Sequence, residues 1–209
     1  MNKYDIKANK HNSITLNLLY DAHYLAARRA LDVPVSEEES AAKVKSFPLS
    51  TEMFRICMTS TGSLEKSIAS AILSMGEKHA PIAKCHLMLD RIFEAKFGVA
   101  DLLRYIEEKG YEAIGFGQDQ KRAIVPGFGH SVIVKEIDPL FFPAGLRIVD
   151  SEEWSVVTEI FCAIKERKKI EIFPNAAIIT ACIGRICGLN AEQSIYLAIA
   201  PRIKSWLNI

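Results

Sequence analysis

The chain has 209 residues, 49% of them hydrophobic, enough for one domain or a domain with a smaller lobe around a sizeable core, which excludes a disordered chain. Lys and Arg number 26 against 25 Asp and Glu, a formal net charge of +1, so no overall excess draws the chain to nucleic acid or an acidic membrane. The longest apolar run, Ile195 to Ala200, is far short of the roughly 20 residues of a bilayer crossing, and Met1 to Asn12 are polar without a signal-peptide core. A soluble, cytoplasmic protein is expected.

Gly and Pro fall mostly between stretches of 3.6-residue periodicity, and alternating runs rich in Val, Ile and Thr are scarce, so the chain reads as all-α. His11 lies in a polar leader and His23 within an amphipathic helix; both read as surface or packing residues. Ser36 ahead of Glu37 to Glu39 reads as the cap and first turn of a helix, without functional weight. After Ser63, the residues Leu64, Ile68, Ala71, Ile72 and Met75 recur on one helical face that Gly76 ends. A helix from Ala80 or Ile82 to Phe97 puts Leu89, Ile92, Phe93 and Phe97 on one stripe, and another runs from Ala100 to Lys109 before Gly110. Between Gly110 and His130 the composition turns to glycine and polar residues, a loop of about twenty residues. Loops of that length in compact domains are often functional, so Ala123 to His130 is a candidate site.

Further on, Ser151 before Glu152 and Glu153 caps a helix with Trp154, Val157, Phe161 and Ile164 inward, and Lys165 to Lys169 suit its C-terminal end. Pro174 and Asn175 open a helix that is apolar nearly all round through Ile178, Ile179, Ile183 and Ile186 and ends at Gly188. That is the pattern of a central helix. Asn190 with Gln193 three residues later makes a capping-box start for the last helix.

The five cysteines, Cys57, Cys85, Cys162, Cys182 and Cys187, sit mostly among apolar neighbours and form no close Cys-x-x-Cys pair, so reduced thiols are expected rather than a disulfide frame or a zinc site. The closest histidine pair, His79 and His86, has only Asp90 beside it, so no metal site is expected. No Gly-x-Ser-x-Gly elbow occurs, and Gly127-Phe128-Gly129 is no dinucleotide fingerprint, since no strand precedes it and a third glycine is absent. His79 and His130 stand apart because each sits at a break in the helical pattern, His79 after Gly76-Glu77-Lys78 and His130 at the end of Pro126-Gly127-Phe128-Gly129. Backbone there can approach a ligand, beside a ring that carries protons near neutral pH. The alternative is that both rings merely mark helix and loop ends.

Taken in order, four blocks resemble the citrate synthase family, including its shorter citryl-CoA lyase modules. Ser50-Thr51-Glu52-Met53-Phe54-Arg55 with Ser60-Thr61-Gly62 is similar to the family's Ser-Thr-x-x-x-Arg and Ser-Thr. Gly76-Glu77-Lys78-His79 resembles Gly-x-x-His-Gly-Gly, and Pro126 to His130 followed by Asp138-Pro139 resembles Pro-Gly-Phe-Gly-His with Asp-Pro-Arg. Pro174-Asn175-Ala176-Ala177 resembles Pro-Asn-Val-Asp, and Ala198 to Ala200 with Arg202 and Trp206 resembles the closing Phe-Ala-x-Ala-Arg-x-x-Gly-Trp.

The resemblance implies a two-lobed, all-α fold of the citrate synthase type, with residues 1–79 and 175–209 in the large lobe and 80–174 in the small one. It implies a homodimer that makes or breaks a carbon-carbon bond between an acyl-CoA thioester and a 2-oxo acid. Coenzyme A thioester would be a substrate, with no permanently bound cofactor. Carried over, His79 stabilises the enol, His130 polarises the ketone and Arg202 binds a substrate carboxylate; Val125, Pro126, Gly127, Phe128, Gly129 and Lys135 contact CoA. The departures are specific. Ala177 stands where the family has its Asp base, Leu140 where it has an arginine, Lys45 where it has an upstream histidine, and Ala80-Pro81 where it has two glycines. The chain also begins late and ends early against full-length members, so terminal arms are expected to be missing. A catalytically inactive homologue that binds a ligand or serves as a partner subunit is the alternative these departures raise.

Overall fold

The computed structural model describes residues 10–32, 49–75, 81–95, 98–101, 103–104, 125–129, 136–169 and 171–207. Within them the regular structure is helical, and the only β pairing is an isolated antiparallel bridge between Phe128 and Pro174. No helix among the described residues is long and apolar enough to cross a membrane.

The first long helix, α1 (Lys10–Asp32), turns Thr15, Leu19, Ala22, His23 and Ala27 to one side, the i, i+4, i+7 stripe of an inward face. It is followed by a helical hairpin, α2 (Leu49–Thr61) and α3 (Leu64–Leu73). Gly62 at φ +63 makes the turn, and the Ser63 hydroxyl accepts from the backbone N–H of Lys66 to cap α3. The inward face of α3 holds for Ile68, Ala71 and Ile72, but Leu64 is exposed because it sits at the hairpin tip beside the exposed turn.

The helix α4 (Ile82–Ala95) buries Cys85, Met88, Leu89 and Ile92 against the centre. A short α5 (Phe142–Leu146) follows the Asp138-Pro139 turn, whose Asp138 side chain accepts from the N–H of Leu140. The Ser151 hydroxyl caps α6 (Glu152–Lys168) by accepting from Trp154 N–H, and Lys169 closes it in the left-handed region. Val157, Ile160 and Ile164 are buried.

The centre is α7 (Ala176–Ile186), in which every residue from Ala177 to Gly184 is buried. Helices α4, α6 and α1 pack on it together with α8 (Ala191–Leu207). The predicted capping box opens α8 as a reciprocal pair: Gln193 N–H donates to Asn190 Oδ1 at 2.8 Å and Asn190 N–H to Gln193 Oε1 at 3.0 Å. Gly184 lets α7 and α8 touch, since a Cβ there would lie 2.9 Å from Ser194 Cβ. All five cysteines are free thiols, with Cys85, Cys182 and Cys187 buried.

Candidate functional site

Of the four sequence blocks, Gly76 to His79 lies outside the described residues, and the fold joins the described parts of the other three at α7 and α8. Arg202, on α8, is 6% exposed. Its Nη1 donates to Ser50 Oγ on α2 at 3.0 Å, and its Nη2 donates to His23 Nδ1 on α1 at 3.4 Å. Four residues on, Trp206 Nε1 donates to Thr51 Oγ1 at 3.1 Å, and the Trp206 ring stacks on Phe54. The Ser50-Thr51 block and the Arg202-Trp206 block are therefore one contact.

The network assigns the His23 tautomer. Thr180 Oγ1 donates to the carbonyl of Ala176 at 2.7 Å, so its oxygen is left to accept from His23 Nε2 at 3.0 Å. With the proton on Nε2, Nδ1 presents its lone pair to Arg202. Burial, then the Arg202 charge, hold the His23 pKa well below the usual histidine value, so the ring is neutral. Phe141 meets that ring edge-on, centroids 4.8 Å apart.

Among the described residues, Arg202 thus carries a buried charge with neutral partners only. Its Nε has no hydrogen-bond partner, and no carboxylate of a described residue forms an ion pair with it. Desolvation alone pushes its pKa down to about 10, still charged at neutral pH. A guanidinium has five N–H donors, so with two engaged this group retains the donors for a bidentate carboxylate.

The glycine-rich turn is fixed to the start of α7. Gly129 N–H donates to the carbonyl of Phe173 at 2.8 Å, Asn175 N–H to the carbonyl of Gly127 at 2.8 Å, and Asn175 Nδ2 to the carbonyl of Gly129 at 2.8 Å. The same Asn175 side chain caps α7, accepting from Ala177 N–H at 2.9 Å. Gly127 is obligatory here: it has φ +84, and a Cβ would lie 2.5 Å from Ile178 Cβ and 2.9 Å from Cys85 Sγ. Val125, Pro126, Gly127 and Phe128 are buried and Gly129 partly so. One helix therefore carries both parts. Asn175 holds the glycine turn and Thr180 holds His23, about 7.5 Å further along the axis at 1.5 Å per residue.

His79, His130 and Lys135, and with them Lys45, Ala80 and Ser36, lie outside the described residues. Ala177 lies between the two parts with its methyl buried, and Leu140 packs against the main core. Neither can exchange a proton or hold a charge. The amphipathic pattern places His23 at the surface or in packing, and the structure makes it a buried partner of Arg202. The signal was present in its stripe: a ring in phase with Leu19, Ala22 and Ala27 faces inward and needs hydrogen-bond partners there.

A second polar cluster joins α4, α6, α7 and α8. His86 Nδ1 and Ser194 Oγ are 2.9 Å apart, Asp90 pairs with His86 and Arg185, and Arg185 also meets Glu153 and lies over the Phe93 ring. Ser194 and His86 are 0% and 2% exposed, which shuts a Ser-His-Asp arrangement off from any substrate. No group of three metal-ligating side chains occurs among the described residues.

An all-α architecture built on a buried central helix, with the Pro-Gly-Phe-Gly turn at that helix's start and the Arg202 block beside it, is a citrate synthase-like fold. Among solved structures it is similar to citryl-CoA lyase from Hydrogenobacter thermophilus, with a TM-score of 0.66 and 16% sequence identity over 96% of this chain and 68% of that one. No protein-family model matches the sequence, and no curated protein matches it.

Proposed function

We infer that this chain is a citrate synthase or citryl-CoA lyase-like protein. It takes the carboxylate of a 2-oxo acid at Arg202 and an acyl-CoA thioester along Val125 to Gly129 with Lys135, and forms or breaks the carbon-carbon bond between them. The observation that carries this reading is the Arg202 guanidinium, buried, charged and held, among the described residues, by neutral groups alone. Burying an ion without a counter-ion is costly, and a ligand carboxylate supplies what the fold withholds. In this reading His79 stabilises the enol of the thioester and His130 polarises the ketone. The protein works as a cytoplasmic homodimer without a permanently bound cofactor. With a methyl at position 177, proton removal from the acyl α-carbon falls to another group, and absence of a general base typically lowers rates by about 10² to 10⁴.

A second reading, a catalytically inactive homologue that binds a ligand or serves as a partner subunit, is favoured by Ala177 and Leu140, both packed as apolar residues at positions of charge in the family. Titration calorimetry with CoA, acetyl-CoA and oxaloacetate tests the binding claim, and no heat from any thioester would count against it. A free-thiol release assay separates the two readings. Turnover by the unmodified chain that His79→Ala abolishes supports the enzyme; binding without turnover supports the inactive homologue.

A further inference from the structure

The geometry points to His23 as the positioning residue of the Arg202 carboxylate site, a neutral imidazole whose Nδ1 lone pair fixes the guanidinium from one side while Ser50 fixes it from the other. This rests on the reading of Arg202 as a carboxylate site and adds a residue from α1 that none of the four sequence blocks contains. Three observations support it. His23 Nε2 donates to Thr180 Oγ1, whose own hydroxyl is committed to the Ala176 carbonyl, so the ring cannot flip or change tautomer without losing a buried bond. Phe141 borders the ring in an edge-on contact. The two acceptors engage different terminal nitrogens of Arg202, which leaves Nε as the buried donor without a partner.

The charged group that faces His23 among the described residues is Arg202 itself, and Ser50 and Thr180 are neutral. An acid in place of His23 would neutralise the guanidinium and compete with a substrate carboxylate. A neutral acceptor orients the cation and leaves its charge to the ligand. The arrangement is therefore suited to an anionic ligand, and it demands an uncharged ring.

The test uses the whole chain and oxaloacetate as the probe. Calorimetry on the unmodified chain comes first, followed by His23→Leu, which removes the acceptor, and His23→Asn, whose Oδ1 can stand where Nδ1 stands. A hydrogen bond to a charged group is worth on the order of a tenfold or greater change in affinity. His23→Leu should weaken oxaloacetate binding by at least about tenfold, and His23→Asn should restore most of it. Nitrogen NMR of the unmodified chain gives a readout independent of either variant's folding. His23 should show Nε2 protonated and Nδ1 bare at pH 7, and stay so at pH 6. No oxaloacetate binding by the unmodified chain overturns the Arg202 reading and this assignment with it. Binding that His23→Leu leaves unchanged, or an Nδ1-protonated ring, overturns the assignment alone.

Discussion

Arg202→Met isolates the charge. Removing one partner of a buried ion pair ordinarily costs about 3–5 kcal/mol, because the other charge is left uncompensated. Here no such charge is left, since the partners are a hydroxyl and a neutral imidazole. The fall of the Arg202 pKa to about 10, more than two decades below the ordinary arginine value, corresponds to about 3 kcal/mol of destabilisation by the buried charge. Deleting it orphans the Nδ1 lone pair of His23, a cost of about 1–3 kcal/mol, and takes a donor from the buried Ser50 hydroxyl, a smaller further cost. Methionine fills most of the volume. The terms oppose each other, so Arg202→Met should unfold in urea within about 2 kcal/mol of the unmodified chain. Adding oxaloacetate should raise the urea midpoint of the unmodified chain, by mass action on the folded state, and leave that of Arg202→Met unmoved. A loss above 3 kcal/mol without ligand would refute the reasoning, because it would reveal an anionic partner.

Further outcomes follow from the same structure. His23 and His86 are both held below the usual histidine value, chiefly by burial, so near pH 6 the unfolded chain binds protons that the folded chain refuses. Their contribution is complete above the unfolded value of about 6.5 and is lost as pH falls toward the folded values. Urea-derived stability should therefore decline from pH 7 to pH 5 by up to about 1.4 kcal/mol per pH unit per histidine, and a flat profile would contradict the assignment. Gly127→Ala should cost about 2–5 kcal/mol, from the positive φ and from overlap with Ile178 and Cys85. Gly62→Ala, at φ +63 with open space around it, should cost only about 1–2 kcal/mol, and equal losses would deny the close approach at Gly127. Gly184→Ala should likewise be costly, since it drives a methyl into Ser194 where α7 meets α8, and an unchanged melting temperature would contradict that contact.

What the sequence made legible is what local chemistry decides. The Ser63 and Ser151 caps, the Asn190 and Gln193 box and the all-round burial of Ile178 to Ile183 each follow from residues within a turn or two of one another. Leu64 escaped because periodicity gives a face and not the length over which a neighbour covers it. The partnership of His23 with Arg202 spans 179 positions and depends on which helices meet, which no local pattern carries. The Ser50 and Thr51 contacts to Arg202 and Trp206 were foreshadowed only as two blocks of one resemblance, and the structure supplies the physical link between them.

In the proposed function the Arg202 guanidinium awaits a ligand's negative charge. Crystals of the full chain soaked with CoA and oxaloacetate test it most directly. Carboxylate density is expected within hydrogen-bond reach of Arg202, with Ser50 and His23 still on the terminal nitrogens and CoA beside the glycine turn. A ligand bound elsewhere, with Arg202 bonded as before and no anion beside it, would contradict the claim.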